Sequence, residues 1–524
     1  MFRRIRQILG AALAVVVIAA VLVPASAAQA ATKIPDQFIA KMYTEVLGRA
    51  PDPSGWAHHR SSFVGTGCDA ASLAGKVREF FSTAEFASRG YDDAERVLVA
   101  YRAVLNREAD VTGFTDRVTR MGAGASFTTV VDELLGSPEF ASLATRICDP
   151  AATGYGFDDS GLPLDLPNAG SGFRGTQAQL QAVLDATPAG GTVTIARHAV
   201  VRLTTSLFIP AGVKLTTAGS PSAQSYASMA RLTREPGWTG PSVQLVGGAT
   251  LDRVWVSGAR GRESGWDRDR ASILMLGGTG TSVVSSRLSE PSGASSLRSA
   301  GAGDSLPCTG NLIRGNLITS YTAEFTTIRQ ADGLSVGCED TLVEGNAVID
   351  ATDVAIVLFP VSATVPQASR VTGNTVIHAG IRAQGSIAVD SLFGATGDAA
   401  GTSSRSFAGG SIDANTLWMG EGVTAQIAIS VGGRPWYGAN GLTFTGGSVT
   451  GNTSAGLPVR AATAIAISGA LGTTVSGNTL TAALIPSASP CPSHAIGAST
   501  SAGYASGTLP GATDALYYGC ILFP

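Results

Sequence analysis

Apolar residues follow two different periods along this chain, and the change of period divides it in two. From Phe38, the apolar residues of FIAKMYTEVLG fall on one stripe of an α-helix, which is expected to break at Gly48 and Pro51. From residue 176 onward, short β-branched runs alternate with Gly, Asn and Pro, which is typical of many short strands. The pattern predicts an all-α region followed by a larger β region.

The helical pattern occurs twice. The positions that agree between the two copies are Tyr43 and Tyr101, Leu47 and Leu105, Arg49 and Arg107, Asp52 and Asp110, and Gly55 and Gly113. Each copy ends in a Glu-Phe pattern, FSTAEF or LGSPEF. In these endings Ser82 and Ser137 are predicted to be helix N-caps.

This signature resembles the bacterial domain of unknown function 4214, in tandem over residues 33–149. The resemblance implies an exported, surface-located multidomain protein in which the helical repeats serve as an envelope-docking module. A calcium loop at Asp52 and Asp110 is disfavoured, because calcium takes about six to eight oxygen ligands, so we interpret both as turn residues. His58 and His59 occur in one copy only and are predicted to be surface residues.

In the β region a Gly-Asn pair returns once per repeat. The strings NLIRGNLIT, TLVEGNAVID, SRVTGNTVIH, SVTGNTSAG and TTVSGNTLT contain it, with a weaker copy around residue 415. The asparagines are Asn316, Asn346, Asn374, Asn415, Asn452 and Asn478. One repeat is one coil of a solenoid, so stacked asparagine amides are expected to form a ladder, with glycine at the bend and Val, Ile or Leu pointing inward.

The start of the β region resembles the N-terminal cap of right-handed parallel β-helix proteins of the pectin-lyase-like superfamily. TQAQLQAVLDATPAGGTVTI pairs a helix, whose apolar side is Leu180, Val183 and Leu184, with a first strand. Such a helix covers the bare end of a first coil. The predicted fold class is mainly β: a right-handed parallel β-helix preceded by a small all-α domain of two repeats.

The predicted domain organisation follows from these patterns and from the 524-residue length, which exceeds the size of a single core. Residues 1–30 carry three arginines, an apolar run and an A-x-A end, and are predicted to be a signal peptide. Residues 33–149 are the helical repeats, 150–175 a linker acting as a hinge between two separately packed bodies, 176–485 the β-helix, and 486–524 a disulfide-clipped tail.

Six cysteines in an exported chain indicate three disulfides and an oxidising, extracellular location, secreted or at the cell surface. Cys308 and Cys338 stand at the same distance before Asn316 and Asn346, so they are predicted to bond between adjacent coils. Cys68–Cys148 and Cys491–Cys520 are the other predicted pairs. The net charge of −3 and pI near 6.0 argue against nucleic acid as a partner.

Candidate catalytic groups lie at the starts and ends of predicted strands. Alignment of DGLSV with DVAIV places Asp332 and Asp353 in one column, within reach of paired-carboxylate glycoside chemistry. Asp350 and His378 hold the same place after their asparagines, so a carboxylate and an imidazole are expected to meet. Each residue also has a structural interpretation: turn formation for the aspartates and a ladder or surface position for His378.

The spacing of Asp332 and Asp353 resembles that of polygalacturonases of glycoside hydrolase family twenty-eight, which implies a hydrolase. Pectate lyases of the same superfamily imply calcium and a cationic base, for which Arg370, Arg382 or Arg405 would serve. No other cofactor is expected.

Candidate sugar-binding groups are arginines and aromatic residues in charge-rich loops. Arginine suits carboxylated or sulfated sugars, and tryptophan suits the flat face of a sugar ring. The candidates are Arg262, Trp266, Arg268, Arg382, Asp390, Arg434, Trp436 and Tyr437. In the loop ARGRESGWDRDR, residues 259–270, arginines alternate with acidic residues. This alternation also fits a self-neutralising solvated loop.

Two functional hypotheses follow. The first is a secreted or cell-surface protein that binds extracellular polysaccharide or envelope glycan on its β-helix, with no membrane span in the mature chain. The second is a polysaccharide hydrolase or uronate lyase that uses the acidic residues of the β-helix face. The incomplete catalytic signatures favour binding.

Overall fold

The computed structural model describes residues 33–482, except 153, 159, 162, 167–169, 264–266, 276–277, 300–307, 321–329, 361, 363, 390–404, 432–443, 468–469 and 472. The predicted signal peptide, the C-terminal tail and the Cys491–Cys520 disulfide lie outside the described residues and stay predictions.

The helices of the described residues occupy the N-terminal part and one position at the start of the β region. They are α1 (Asp36–Lys41), α2 (Pro53–Thr66), α3 (Ala70–Phe81), α4 (Ala84–Ala87), α5 (Asp93–Ala100), α6 (Val111–Gly122), α7 (Phe127–Leu135), α8 (Pro138–Cys148) and α9 (Gln177–Ala186). Helices α1 and α5 continue as π-helical turns over Met42–Val46 and Tyr101–Leu105. In the part of the chain that the structure describes, no helix combines the length and the apolar character needed to span a bilayer.

The repeated sequence signature is explained by one set of contacts in each helical unit. Asp52 caps α2 by accepting from the Gly55 amide at 2.8 Å. A Cβ at Gly55 would lie 2.0 Å from the Tyr43 hydroxyl, so only glycine fits there. Arg49 stacks on the Tyr43 ring at 5.0 Å and holds Glu85 through two hydrogen bonds of 2.7 and 3.0 Å. The signature is therefore structural.

The second unit repeats these contacts with Tyr101, Arg107, Asp110, Gly113 and Glu139. The prediction that both aspartates form turns is thus confirmed.

The predicted caps are half right. Ser137 caps α8 by accepting from the Phe140 amide at 3.1 Å, as predicted. The cap of α4 is Thr83, which accepts from the Phe86 amide at 3.1 Å, whereas Ser82 ends α3. The first prediction was wrong by one residue because both residues carry a hydroxyl.

The β region is a parallel β-helix whose coils contribute to three long sheets. Sheet one contains β1 (Thr192–Ile195), β4 (Lys214–Thr217), β7 (Thr250–Asp252), β11 (Ser282–Val284), β15 (Leu312–Arg314), β18 (Leu342–Glu344), β21 (Arg370–Thr372), β25 (Ser411–Asp413), β29 (Ser448–Thr450) and β33 (Thr474–Ser476). Sheet two contains β2 (Val200–Leu203), β5 (Ala230–Arg234), β8 (Val254–Ser257), β12 (Arg287–Ser289), β16 (Leu317–Thr319), β19 (Ala347–Ile349), β22 (Thr375–His378), β26 (Thr416–Met419), β30 (Thr453–Val459) and β34 (Thr479–Ala482).

Sheet three contains β3 (Leu207–Ile209), β6 (Val243–Leu245), β9 (Asp267–Met275), β13 (Gly293–Ser299), β17 (Asp332–Val336), β20 (Val354–Leu358), β23 (Ala383–Val389), β27 (Ala425–Val431) and β31 (Ala461–Ile467). Two small parallel sheets join β10 (Gly278–Thr279) to β14 (Cys308–Thr309), and β24 (Arg405–Ser406) through β28 (Phe444–Thr445) to β32 (Ala470–Leu471). The predicted fold class is confirmed.

The asparagine ladder lies between sheets one and two, as predicted. Asn374 is fully buried, and its Oδ1 accepts from the backbone amide and the side-chain amide of Asn346, each at 2.9 Å. Its Nδ2 donates to the Val343 carbonyl at 2.9 Å and to Asn415 Oδ1 at 3.0 Å. The preceding Gly373 has φ +62°, a conformation that glycine adopts without steric cost.

The same pattern of bonds runs from Asn316 to Asn478 and includes the weaker copy at Asn415.

The N-terminal cap helix α9 covers the first coil. Leu180 and Leu184 are fully buried in the core of the β-helix, whereas Val183 is 41% exposed. The predicted apolar side of this helix is therefore right at two positions and wrong at Val183, which lies on its outer side.

Two predicted disulfides are confirmed. Cys308 and Cys338 lie on adjacent coils with Cα atoms 4.9 Å apart, and the Cα atoms of Cys68 and Cys148 are 5.4 Å apart. The second disulfide joins the start of α3 to the end of α8.

The helical repeats pack directly on the outer face of sheet two. Trp56 of α2 contacts Trp418 of β26 with ring centroids 6.0 Å apart, and one hydrophobic cluster includes residues of both parts. In the predicted linker, Tyr155 and Phe157 are buried in this cluster. The expectation of a hinge between separately packed bodies is therefore wrong, because the linker packs as part of the interface.

A buried group of charges lies inside this interface. Glu45 accepts from Arg102 Nε at 2.9 Å and from the Tyr226 hydroxyl at 2.8 Å, and it also pairs with Arg287. All four side chains are fully or almost fully buried. Burial alone would raise the pKa of Glu45, but the guanidinium groups of Arg102 and Arg287 hold it below its ordinary value.

Aromatic rings complete the interface cluster. The Arg231 guanidinium lies 3.8 Å from the centre of the Trp255 ring, and the Arg287 guanidinium 4.0 Å from that of Tyr226. Arg231 also pairs with Glu108 at 2.9 Å. Charges from the helices and charges from sheet two therefore neutralise each other out of contact with water.

Asn374→Ala should lower the free energy of unfolding by about 2–4 kcal/mol, because it removes the acceptor of the buried Asn346 backbone amide and interrupts the ladder of side-chain hydrogen bonds. Thr194→Ala, at an exposed position of sheet one, is the control and should change stability by less than about 0.5 kcal/mol. Denaturant unfolding measures both. Equal stability of the two variants would contradict the ladder's stabilising role.

Glu45→Gln should destabilise the protein by about 3–5 kcal/mol at neutral pH, because two buried guanidinium groups lose their counter-charge. Glu139→Gln breaks a half-exposed pair and should cost no more than about 1 kcal/mol.

The effect of Glu45→Gln should depend on pH. Because the pKa of Glu45 is depressed in the folded state, its stabilisation is present above the unfolded pKa and is lost as pH falls below about 4. The stability gap between wild type and Glu45→Gln should therefore narrow in acid. A gap that stays constant from pH 7 to pH 3 would argue against this ion pair.

Candidate functional site

The two aspartates predicted to share a column are out of register by one residue. Strand β17 pairs with β20 so that Leu334 lies opposite Ile356. Asp332 is therefore level with Val354, and the Asp353 amide instead donates to the Ala331 carbonyl at 3.1 Å. The predicted column of Asp332 and Asp353 is therefore wrong by one residue.

Asp332 organises the start of its strand. The side chain is half-buried, with Oδ1 accepting from the Val354 amide at 3.0 Å and Oδ2 from the Ser335 hydroxyl at 2.6 Å. The Ser335 hydroxyl also bonds to that of Ser295 on the preceding coil. This is the turn-forming role that the structural interpretation predicts.

Asp350 is fully buried and binds backbone amides. Its Oδ1 accepts from Ala379 at 2.6 Å and Gly380 at 3.1 Å, and its Oδ2 accepts from Gln37 Nε2 at 2.9 Å. Burial raises the pKa of this carboxyl. Because Gln37 belongs to α1, Asp350 fastens the first helix to the β-helix and does not face a substrate.

His378 is also fully buried. It is paired in register with Met419, which lies in the core of the β-helix, and its Nε2 is 3.1 Å from the Ser386 hydroxyl. Burial lowers the pKa of His378 to about 4, so the imidazole is neutral at neutral pH. Asp350 and His378 do hold equivalent places on successive coils, but no hydrogen bond or ion pair joins these two described side chains.

Arg262 takes part in a local ion-pair network. Its guanidinium pairs with Glu235, which Arg202 also contacts at 3.1 Å, and only 9% of the Arg262 side chain is exposed. Beside it, Arg234 pairs with Glu263 at 2.8 Å. This arrangement agrees with the self-neutralising interpretation of the loop and leaves Arg262 little surface for a sugar.

Of the other predicted sugar-binding residues, two lie within the described parts of the chain and five lie outside them. Arg382 is half-buried in the turn between β22 and β23, and Arg268 belongs to β9. Trp266, Asp390, Arg434, Trp436 and Tyr437 lie outside the described residues. Their predicted role in sugar binding stays a prediction.

The outer face of sheet one is a polar surface that the sequence analysis did not single out. In each of its three-residue strands the central residue lies in the core, as Val371 does, so the two flanking residues face outward. The two outward columns are Thr192, Lys214, Thr250, Ser282, Leu312, Leu342, Arg370, Ser411, Ser448 and Thr474, and Thr194, Thr216, Asp252, Val284, Arg314, Glu344, Thr372, Asp413, Thr450 and Ser476. Serine, threonine and charged residues occupy most of these positions.

This polar face has a readable signal in the sequence. The residues before three of the five Gly-Asn pairs of the ladder run polar, apolar, polar, in RVTGN, SVTGN and TVSGN, whereas LIRGN and LVEGN begin with leucine. The apolar residue was correctly predicted to point inward, and its polar neighbours must then form the two outward columns.

Charges on the polar face are paired along the columns. Arg314 contacts Glu344 at 2.6 Å, and Asp413 accepts from the Thr372 hydroxyl at 2.6 Å. Arg370 is exposed and, within the described residues, has no ion-pair partner. Its guanidinium therefore keeps its full capacity to donate hydrogen bonds to a bound anion.

One part of the helical region matches a protein family model. Residues 77–144 match the family model described as Domain of unknown function (DUF4214). The match contains the second copy of the signature and both Glu-Phe endings, and it begins after the first copy. No curated protein sequence matches the chain.

Three solved structures are among those to which the chain was matched. The Dettilon tailspike protein (gp208) is 12% identical, with 62% of this chain and 65% of that chain covered and a TM-score of 0.34. The endo-xylogalacturonan hydrolase from Aspergillus tubingensis is 10% identical, with 59% and 89% covered and a TM-score of 0.38. PfbA, a surface adhesin of Streptococcus pneumoniae, is 11% identical, with 60% and 88% covered and a TM-score of 0.37.

The chain thus spans about two thirds of the tailspike's length. The assignment of a parallel β-helix rests on this chain's own strand register. The protein combines that β-helix with a helical region matching DUF4214, packed on one of its sides.

Proposed function

We propose that this protein is exported and binds extracellular polysaccharide along the outer face of sheet one. The observation that carries the proposal is the pair of outward columns rich in hydroxyl and charged groups, which continue from coil to coil. Strand spacing places equivalent side chains about 4.8 Å apart, a distance comparable with the length of one hexose unit. A polymer lying along the β-helix axis would meet a hydroxyl or charged group at each coil.

The C-terminal half of this face offers the clearest binding groups. Thr450, Thr474 and Ser476 are hydroxyl residues at outward positions of β29 and β33, and each hydroxyl can donate and accept hydrogen bonds as sugar hydroxyls do. Arg370 adds a cation on the same columns. Because a guanidinium binds carboxylates through two parallel hydrogen bonds, we infer a preference for acidic polysaccharides.

Two formed disulfides support the exported location. Disulfides persist in oxidising compartments, and both bonds join segments distant in sequence. The inferred signal peptide agrees with this location.

We also infer that the helical repeats serve as the envelope-docking module. Their inner side is committed to sheet two through the interface cluster, so docking would use the outer side. Arg78, Asp132, Arg146 and Glu133 are exposed there. This location is separate from sheet one, so the protein would hold polysaccharide and envelope at the same time.

Arg370→Ala should weaken binding to acidic polysaccharides roughly ten- to hundredfold, because a charge-assisted contact of about 1.5–3 kcal/mol is lost. Binding to neutral polymers should stay nearly unchanged. Arg146→Ala, an exposed arginine of α8, is the matched control. Affinity electrophoresis in pectic, alginate-like, glucuronan and neutral gels measures the effect.

The same polymers should be scored for reducing ends and for unsaturated uronide absorbance, which would reveal a hydrolase or a lyase. Retention on no polymer, or identical retention of Arg370→Ala and wild type on acidic polymers, would contradict the proposed face.

Docking is tested with the same variant. Arg370→Ala should still bind isolated cell envelopes, and excess soluble polysaccharide should not displace the wild-type protein from them. Envelope binding that disappears together with polysaccharide binding would remove the docking role from the helical repeats, because it would show that sheet one alone makes the attachment.

A further inference from the structure

The first helical repeat brings three metal-ligating side chains to one corner. His58 and His59 of α2 and Glu79 of α3 each offer one ligand atom, and these atoms all lie within 4.8 Å of one another. His58 and Glu79 are exposed, whereas His59 is 8% exposed and packs against Tyr43 and Phe80. The prediction that both histidines are surface residues is therefore wrong for His59.

The buried imidazole presents an unsatisfied nitrogen to this corner. Within the described residues, His59 Nδ1 has no hydrogen-bond partner, and it lies 3.6 Å from Glu79 Oε1. Lys76 Nζ contacts the other carboxylate oxygen, Glu79 Oε2, at 2.6 Å. A buried polar atom without a partner needs an explanation, and a carboxylate held from behind by a hydrogen bond is typical of a metal ligand.

In the second helical repeat, an arginine occupies the equivalent position between the two helices. His58 and Asp116 each lie six residues after the N-cap of their helix. Glu79 and Glu133 each lie two residues before the last residue of theirs. Arg120 contacts both of these carboxylates, Asp116 at 3.6 Å and Glu133 at 2.6 Å. In that repeat a guanidinium therefore joins α6 to α7 across the corner.

The first repeat has Ser62 in the position of Arg120. The Ser62 hydroxyl donates to the His59 carbonyl of its own helix at 2.7 Å and supplies no positive charge between α2 and α3. The corner of the first repeat thus keeps the carboxylate, gains two imidazoles and lacks the bridging guanidinium.

We propose that His58, His59 and Glu79 bind a divalent transition-metal ion such as Zn²⁺, which joins α2 to α3 in the first repeat. Imidazole nitrogens and a carboxylate oxygen form a ligand set that zinc accepts, at about 2.0–2.2 Å, with water completing four-coordination. The exposed side chains of His58 and Glu79 can close the remaining gap by changing rotamer. The adjacent ammonium group of Lys76 should keep the affinity moderate.

A second group of possible ligands, Asp92, Glu95 and His198, is less suited to a metal. Glu95 Oε1 already accepts from Arg197 at 2.8 Å, and its other oxygen caps the Asp92 amide at 2.7 Å. His198 Nδ1 faces the Ala227 carbonyl at 3.0 Å. Both oxygens of Glu95 are therefore committed to the protein's own donors, although His198 Nε2 has no hydrogen-bond partner within the described residues. This second group serves as an internal reference in which the buried carboxylate is already occupied.

Isothermal titration of the tag-free, chelator-treated full chain with ZnCl₂ tests the proposal. We expect one ion per chain, with affinity at least roughly tenfold weaker in His58→Ala and in Glu79→Gln. Glu133→Gln, in the arginine-closed corner, is the matched control and should bind like wild type. Titration with Co²⁺ should give a visible absorption band in wild type that is lost in His58→Ala.

Thermal unfolding provides a readout that is independent of the titration. Zinc should raise the melting temperature of wild type and of Glu133→Gln, and should not raise that of His58→Ala. Because His58 is exposed, its replacement should leave the metal-free melting temperature unchanged. No zinc uptake by wild type, unchanged affinity in both ligand variants, or loss of uptake in Asp92→Asn would each overturn the proposal.

Discussion

Hydrogen bonding between equivalent residues of successive coils is the interaction on which the rest of the structure depends. The backbone pairs the strands of three sheets in parallel register, and the buried asparagine ladder fixes that register at one corner. A slip by one residue would exchange inward and outward positions and place Ser or Thr in the core. The polar face of sheet one and the arginine-rich face of sheet two both follow from this single register.

Each side of the β-helix is used differently because its outward residues differ. On sheet two, Arg231, Trp255 and Arg287 lie in one outward column. Packing another layer against these large side chains removes their apolar area from water. The helical repeats provide this layer, with Glu45 and Glu108, so charge is neutralised while apolar area is buried. On sheet one the outward residues are mostly small and polar, which water solvates without any cover. The helical region is therefore an integral layer of this protein and not a detachable module.

The sequence predicts those features that repeat, because repetition reveals what neighbours in space share. Asn316 to Asn478, the Cys308–Cys338 bond and the Tyr-Arg-Asp-Gly signature were all found in this way, and each has a contact that explains it. The column of Asp332 and Asp353 failed because it relied on two short strings whose apolar residues also align one position away. The true register is set by the inward positions of Leu334 and Ile356, which the string comparison did not use.

The sequence patterns did not predict which single polar residues are buried. His378 and Asp350 look like surface residues by type, yet both are fully buried because a neighbouring coil or α1 covers them. Similarly, nothing in the composition indicates that Arg102 of one helical repeat meets Glu45 of the other, since that contact depends on how two π-helical turns cross.

The corner between α2 and α3 differs in one respect between the two helical repeats. The two helical repeats share a scaffold of Tyr, Arg, Asp, Gly and Glu, so a difference between them at one corner stands out against a constant background. Arg120 fills that corner in the second repeat, and its absence from the first leaves His59 buried beside Glu79 with a nitrogen unused. In the second repeat Arg120 contacts both carboxylates of the corner, whereas within the described residues no guanidinium contacts Glu79 in the first. This difference, together with the unpaired His59 nitrogen, is what supports the proposed metal site.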